Sequence, residues 1–533
     1  YNTTDFNQFT LHNTIMPPFK AAVDAGVRTF MNSFNTLDEI PATGHKHIQR
    51  NILKGDWGFD GFIVSDWGSI EQMIPHGFAR DGNHAAELAV IAGSDMDMES
   101  SLYVSELVGL VKSGKVNIEL IDDAVRRILR VKYELGLFDD PYKYCNIDRS
   151  NNELASDENM KVALEAAKKS IVLLKNNNQL LPLEKQGEKI AIIGPLANDK
   201  NSPLGNWRSQ AVYNSASSVL EGMKNYNQNK LVFEKGVDLY YGKTNFHNRV
   251  KLNFDDRTGF DKAKLAAENS DIVIMVLGEE GNQSGEGRSR TNIGLPGLQL
   301  ELLKEIYKIN QNIVLVVMSG RPLDLTWADK NIPAIIQAWH LGSKSGEAIA
   351  EVLYGDYNPS GKLTMSFPRN VGQVPIYYNF KNTGRPSTSI EQVTNSGYAD
   401  VVNSPLYSFG YGLSYTNFKY SNLSIDNDKL DYNSKINISI DIENTGFYTG
   451  KEVVQLYLRD LVGSIARPMK ELKGFKIIEL SPGESQTVNF EIESSLLEFY
   501  TFNNKWEAEN GKFHAFIGSN SDVVDYKEFY LVD

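Results

Sequence analysis

The sequence predicts a multidomain α/β plus β protein: the C-terminal portion of a TIM-like (β/α) barrel, then a doubly wound α/β sandwich, then an antiparallel β-sandwich. Three changes of hydrophobic rhythm carry this reading. From residue 1 to about 140, helical patterns alternate with short apolar runs at 29–33, 62–65 and 95–98, the mark of βα units in a parallel sheet. From about 160 to 370, the runs KIAIIGP, DIVIMVLG, NIVLVVMSG and AIIQAW alternate with helical stretches such as LPGLQLELLKEIYKI, the rhythm of a complete doubly wound domain. From about 414 onward the helical period vanishes, and Ile436, Ile438, Ile440 and Ile442 recur at every second residue, as strands with one buried face require.

The elements follow in order. In the first region FTLHNTIMPPFKAAVDAG, HAAELAVIAG and NIELIDDAVRRILRVKYELG read as helices between the apolar runs. About three βα units can be counted where a closed barrel needs eight. Residues 1–141 are therefore expected to be the later part of a barrel whose upstream half is absent. Such an open remnant would expose a sheet edge and an apolar face. The expectation is a fragment of a larger protein, or a chain completed as a homodimer or by a second chain that supplies the missing half. Residues 142–160 read as a linker, 161–370 as the α/β domain, 371–413 as a polar, turn-rich connector and 414–533 as the β-sandwich.

Composition removes several function classes. The 533 residues carry a formal net charge of −13 and no Lys/Arg-rich stripe, so a nucleic-acid partner is not expected. The single cysteine, Cys145, forms no internal disulfide and founds no zinc site. No apolar stretch approaches the roughly 18 residues needed to span a bilayer, and the opening YNTTDFNQF lacks a signal region.

The stretch GFIVSDWGSI, residues 61–70, ends an apolar run on a carboxylate. In parallel α/β folds functional side chains gather at the carboxyl ends of strands, where loops line a crevice. Asp66 holds such a position, Trp67 beside it offers a flat apolar face, and Gly68 lets the chain turn. The plain alternative is that Asp66 caps the next helix. Acetal hydrolysis with retention needs a second carboxyl group. The best source is GEEGNQSGEGRSR, residues 278–290, which follows an apolar strand and holds Glu279, Glu280 and Glu286. Spacing does not choose among the three.

At this point the residues resemble a family. Ser65-Asp66-Trp67, IDDAVRRILRVKYELGLFDDP, SGEGRSR before Leu295-Pro296-Gly297, YNPSGKLTMSFPRNVGQVPIYY, FGYGLSYTNF, RPMKELKGF and LSPGE together look like glycoside hydrolase family 3, in particular its three-domain bacterial β-glucosidases. The resemblance implies a barrel, an α/β sandwich and a fibronectin type III-like domain. It implies an exo-acting enzyme that removes terminal β-D-glucosyl residues through a covalent intermediate, without cofactor or metal. It assigns Asp66 as nucleophile, Glu286 as general acid/base, and Met31, Phe34 and Trp67 as sugar contacts. Phe34 departs from the Tyr many members carry, so one hydrogen bond to the sugar is in doubt. The upstream Asp, Arg and Lys-His pair of the family have no match in residues 1–140. Periplasmic or secreted localisation also follows from the resemblance. The alternatives are a β-xylosidase of the same family and a non-catalytic carbohydrate-binding or assembly fragment.

Arg288 and Arg290 lie close enough in sequence to oppose a protonated Glu286; they are expected to face backbone or another carboxylate. Asp97 is a candidate sugar-positioning residue, although Asp95 and Asp97 alternate across a strand and at most one faces the barrel mouth. Trp207 and Arg385 are candidates to border the site from the second domain and the connector. His45 and His47 sit two apart and read as surface histidines, not paired ligands. GSKSGEA lacks the ending of a phosphate-binding loop, and the cluster Asp426-Asn427-Asp428 lacks the Gly and Glu of a calcium loop.

Overall fold

The computed structural model describes residues 2–208, 210–226, 228–387 and 391–533. Its contacts divide the chain into two units: residues 1–152 with 499–506, and residues 153–498 with 507–533.

In the first unit, strand β1 (Thr29–Met31) pairs in parallel with β2 (Phe62–Val64), in register Thr29 to Phe62 and Met31 to Val64. The third apolar run makes only a single parallel bridge, Val64 to Met96. Its short length has a local cause: Asp95 and Met96 both donate their amides to the Ile63 carbonyl, and the chain then curls into a turn at Asp97. The helices follow their end signals. Asp81 accepts from the His84 amide to start Gly82–Ala92, and Gly93 ends it with φ 115°. Asn117 caps Ile118–Glu134, whose Arg127 donates to the carbonyls of Phe59 and Gly61 at 2.9 Å each and so fixes the approach to β2.

Beneath β2 lies a buried ion pair. Lys54, on the wide-wound helix His47–Asp56, donates to both oxygens of Asp95 at 2.7 and 2.8 Å and to the Gly93 carbonyl. Asp95 in turn accepts from the Ile63 amide at 2.8 Å. Burial pulls the Lys54 ammonium down to about 8 against the support of Asp95. Asp95 therefore braces the strand and does not face a substrate. His45, expected at the surface, is buried. It sits between the loop before it and the amide of Ile48, whose N–H lies 3.4 Å from its Nδ1.

In the second unit, six strands form one sheet: β3 (Val172–Asn176), β4 (Lys189–Ile193), β5 (Lys230–Glu234), β6 (Ile272–Gly278), β7 (Ile313–Met318) and β8 (Ala334–Gln337), in the order β3-β8-β7-β6-β4-β5. All neighbours are parallel except β3 against β8. The central strands are apolar without a break because both faces are covered. Ile272, Ile274 and Val276 belong to one core, and Val273, Met275 and Leu277 to the other. The two edge strands, β3 and β5, escape a reading that lists only the four central runs. Part of the stretch read as connector is built into this domain: Phe367 bridges Tyr407, Leu413 bridges Leu173, and the Tyr407 hydroxyl donates to Asp329 at 2.7 Å.

The final region is a β-sandwich of a three-stranded and a five-stranded sheet. In Lys435–Asn444 the alternate residues Ile436, Ile438, Ile440 and Ile442 point into its core, as their period of two requires.

Candidate active site

In the first unit the parallel pairing brings three chain segments to a common end. Beyond the strands, the Asn32 amide donates to the Val64 carbonyl at 3.0 Å and the Ser65 amide to the Met96 carbonyl at 2.8 Å. Met31, Asp66 and Asp97 therefore emerge at the same, carboxyl, end. Met31 and Trp67 are exposed, at 56% and 63%, while Phe34 and Asp66 are half-buried. Asp66 accepts one hydrogen bond, from the neighbouring Trp67 amide at 2.7 Å. The next helical turn, Glu71–Met73, has Ile70 at its cap and no side-chain cap bond, so Asp66 is not a helix cap. Gly68 turns the chain with φ 65°. Asp97 has another duty than the one expected of it. Both its oxygens accept from Ser100 Oγ, at 2.7 and 2.8 Å, and Oδ2 accepts from the Tyr103 amide. It holds the start of the helix Leu102–Lys112.

In the second unit, β6 ends at Gly278, with φ 141°, where a Cβ would stand 1.8 Å from the Met318 carbonyl oxygen. Only glycine allows that exit. The loop that follows separates its three acids by environment. Glu279 is fully buried and paired with Arg290 at 2.8 Å and Arg321 at 3.2 Å. Glu280 is also buried, and accepts from Thr244 Oγ1, the Asn282 amide and Asn282 Nδ2 at 2.8 to 2.9 Å. Glu286 is half-buried, and among the described residues no hydrogen bond or ion pair holds its carboxylate. Neither nearby arginine is paired with it. Arg288 donates to the carbonyls of Asn282 and Phe246, and Arg290 to Glu279 and the Gly294 carbonyl. Both guanidinium groups are thus turned to backbone or to another carboxylate, as expected.

Beside this loop is a cavity of about 500 Å³, lined among others by Asn206, Trp207, Arg208, Tyr213, Phe246 and Asn282. Trp207 is 70% exposed and meets Phe246 edge to face at 5.1 Å, and Arg288 lies over the Phe246 ring at 5.7 Å. Asn206 fills the space beside Gly285, where a Cβ would lie 2.6 Å from its Oδ1. Trp207 and Glu286 are thereby brought to neighbouring chain segments. Arg385 is not joined to them: it is exposed, and its backbone bonds run to Thr383 and Ser396.

Several residues of the site went unread in the sequence. Phe246 lies in a stretch without periodicity. Arg321 and His340 follow β7 and β8, and the strand-end rule that selects Asp66 could have found both. His340 is half-buried, with Nε2 3.3 Å from the Glu279 carbonyl, and the desolvation of its ring lowers its affinity for a proton. Before it, Trp339 holds φ 49°, strained for a bulky side chain and typical of a functional rim. The arrangement can supply carboxyl groups and aromatic faces. Among the described residues no group of three or more His, Cys, Asp or Glu is placed to hold a metal ion.

A strand-end carboxylate, an open glycine-rich acid loop and a trailing β-sandwich define the class: this chain belongs to glycoside hydrolase family 3 and is a glycoside hydrolase. Residues 1–131 match the family's N-terminal domain, 171–415 its C-terminal domain and 452–521 a fibronectin type III-like domain. The chain is 42% identical to the periplasmic β-glucosidase of Salmonella typhimurium, across all of this chain and 71% of that protein. It is 37% identical to a β-xylosidase of Formosa agariphila, across 99% of this chain and 72% of the other. The crystal structure of a β-glucosidase from Listeria innocua in complex with isofagomine superposes with a TM-score of 0.91 at 36% identity, covering all of this chain and 72% of that one. No described helix is long and apolar enough to cross a membrane.

Proposed function

We propose that this enzyme is a β-glucosidase working with retention, with Asp66 as nucleophile and Glu286 as general acid/base. The observation that carries the reading is the sorting of the loop acids: Glu279 and Glu280 are buried and bonded, and Glu286 is left half-exposed and unpaired. In the first step an Asp66 oxygen attacks the anomeric carbon, the bond to the leaving oxygen breaks, and that oxygen takes its electron pair and the Glu286 proton. In the second, water attacks the same carbon, Glu286 takes its proton, and the ester to Asp66 breaks, which restores both carboxyl groups. Trp67, Met31 and Phe34 are the proposed sugar contacts, and Trp207 is a further proposed substrate contact.

Glucose is favoured by the Salmonella relative, a β-glucosidase alike over the whole chain. A β-xyloside is the second reading, favoured by the Formosa relative. The name of the Salmonella protein also supports export to the periplasm. The test is hydrolysis of 4-nitrophenyl β-D-glucoside beside the β-D-xyloside, by the wild type, Asp66→Ala and Glu286→Ala. Faster turnover of the glucoside, lost in Asp66→Ala, is expected. Preference for the xyloside would move the enzyme to the second reading, and no turnover of either would favour a carbohydrate-binding role.

A further inference from the structure

We infer that Arg321, anchored on the buried Glu279, is a positioning residue that holds the Glu286 loop in its working shape. The inference rests on the assignment of Glu286 as acid/base. Arg321 comes from the turn after β7, a different strand from the one that feeds the loop. Its Nη2 donates to the carbonyls of Gln283 at 2.6 Å and Arg288 at 2.8 Å, the residues three before and two after Glu286. Its Nε lies 3.2 Å from Glu279. One guanidinium thus spans the segment that carries the acid and ties both sides of it to the end of the sheet. Arg290 adds a second strap, from Glu279 to the Gly294 carbonyl.

The planar fork suits this role, since one group reaches two carbonyls and a carboxylate at fixed angles. Glu279, itself fully buried, supplies the counter-charge that draws the half-buried Arg290 and Arg321 to itself. The Glu286 side chain is held by none of these bonds. Its reach is set by the backbone around it, so an acid that has to find the leaving oxygen depends on that backbone being fixed.

The experiment compares Arg321→Met, Arg321→Lys and Glu286→Ala on aryl β-glucosides of graded leaving ability. A displaced acid matters most when the leaving oxygen is basic. For Arg321→Met, kcat/KM is expected to fall about 10- to 100-fold on the 4-methoxyphenyl glucoside and by less than about 3-fold on the 2,4-dinitrophenyl glucoside. Arg321→Lys should recover part of the loss. Azide should speed turnover of the dinitrophenyl substrate by Arg321→Met: its nitrogen bonds the anomeric carbon, the ester to Asp66 breaks, and no proton has to be removed. Equal losses on every leaving group, with no azide effect, would overturn the inference. Glu286→Ala separates the two ideas. If it too shows no leaving-group dependence, the assignment of Glu286 fails; if it shows the dependence and Arg321→Met does not, only the strap fails. Should Arg321→Met not fold, Arg321→Lys, which keeps the charge but cannot span both carbonyls, carries the same test: a smaller loss with the same leaving-group dependence supports the inference, and an equal loss on every leaving group overturns it.

Discussion

Glu279, Glu280 and Glu286 share one loop and one side-chain chemistry, yet removing each should fail in its own way. Glu286→Gln is expected to lower kcat about 10²- to 10⁴-fold with an unchanged urea midpoint, because nothing in the fold leans on its carboxylate. Glu279→Ala leaves two half-buried guanidinium groups without the carboxylate they share and should cost about 1–3 kcal/mol of stability, read as a lower urea midpoint at constant slope. Trp207→Ala should raise KM for aryl glucosides more than it changes kcat, since the ring is exposed on the cavity wall and bears no load in the core. These differences were illegible in the sequence, where spacing treats the three acids alike. Burial and partners come from Arg290, Arg321, Thr244 and Asn282, and Arg321 and Thr244 lie far from the loop in sequence. The strand-end position of Asp66 was legible, because an apolar run ending in a carboxylate states its own place. For Asp97 the same rule does not foresee the turn in which Ser100 and the Tyr103 amide engage both oxygens.

Elements with strong rhythm were read well, and those defined by their neighbours were not. The central strands of the α/β sheet and the Ile436 to Ile442 alternation announce themselves. The edge strand Val172–Asn176 runs against its neighbour, and its place depends on Leu413, a partner far along the chain. The helix His47–Asp56 and β2 are coupled by Lys54 and Asp95, both almost wholly buried. Lys54→Met should therefore destabilise the first unit by about 3–5 kcal/mol, and Lys54→Met with Asp95→Leu by much less, because no lone charge is left inside. Acid should weaken the α/β domain through His340. Burial holds its folded-state pKa below the ordinary 6.5, so as pH falls through that value the unfolded chain takes a proton that the folded one refuses. Stability is present above about 6.5 and declines below it. The melting temperature should drop between pH 7 and 5, and His340→Asn should flatten that slope.

For the molecule as a whole, the two units are not consecutive lengths of chain. Residues 499–506 leave the β-sandwich to complete the first unit. There the Tyr500 ring stacks on His12 at 4.0 Å, its amide donates to Asn13, the Asn13 side chain donates back to its carbonyl, and Phe502 meets Phe9. Tyr500→Ala should cost about 1–2 kcal/mol and speed hydrogen exchange at the amides of residues 8–16, with the β-sandwich little changed. No local pattern could have announced this pairing, since sequence rhythm reports an element's own face and not a partner hundreds of positions away.

That clasp also sets a clock. A ribosome adding about 5–20 residues per second needs roughly 25 to 100 s to cover the 487 positions between Asn13 and Tyr500. Over that interval the early helices wait unfastened, while the α/β domain can emerge and fold. The segment around Asn13 is therefore made long before the strand that secures it, and until Tyr500 arrives its aromatic and polar partners are open to other contacts.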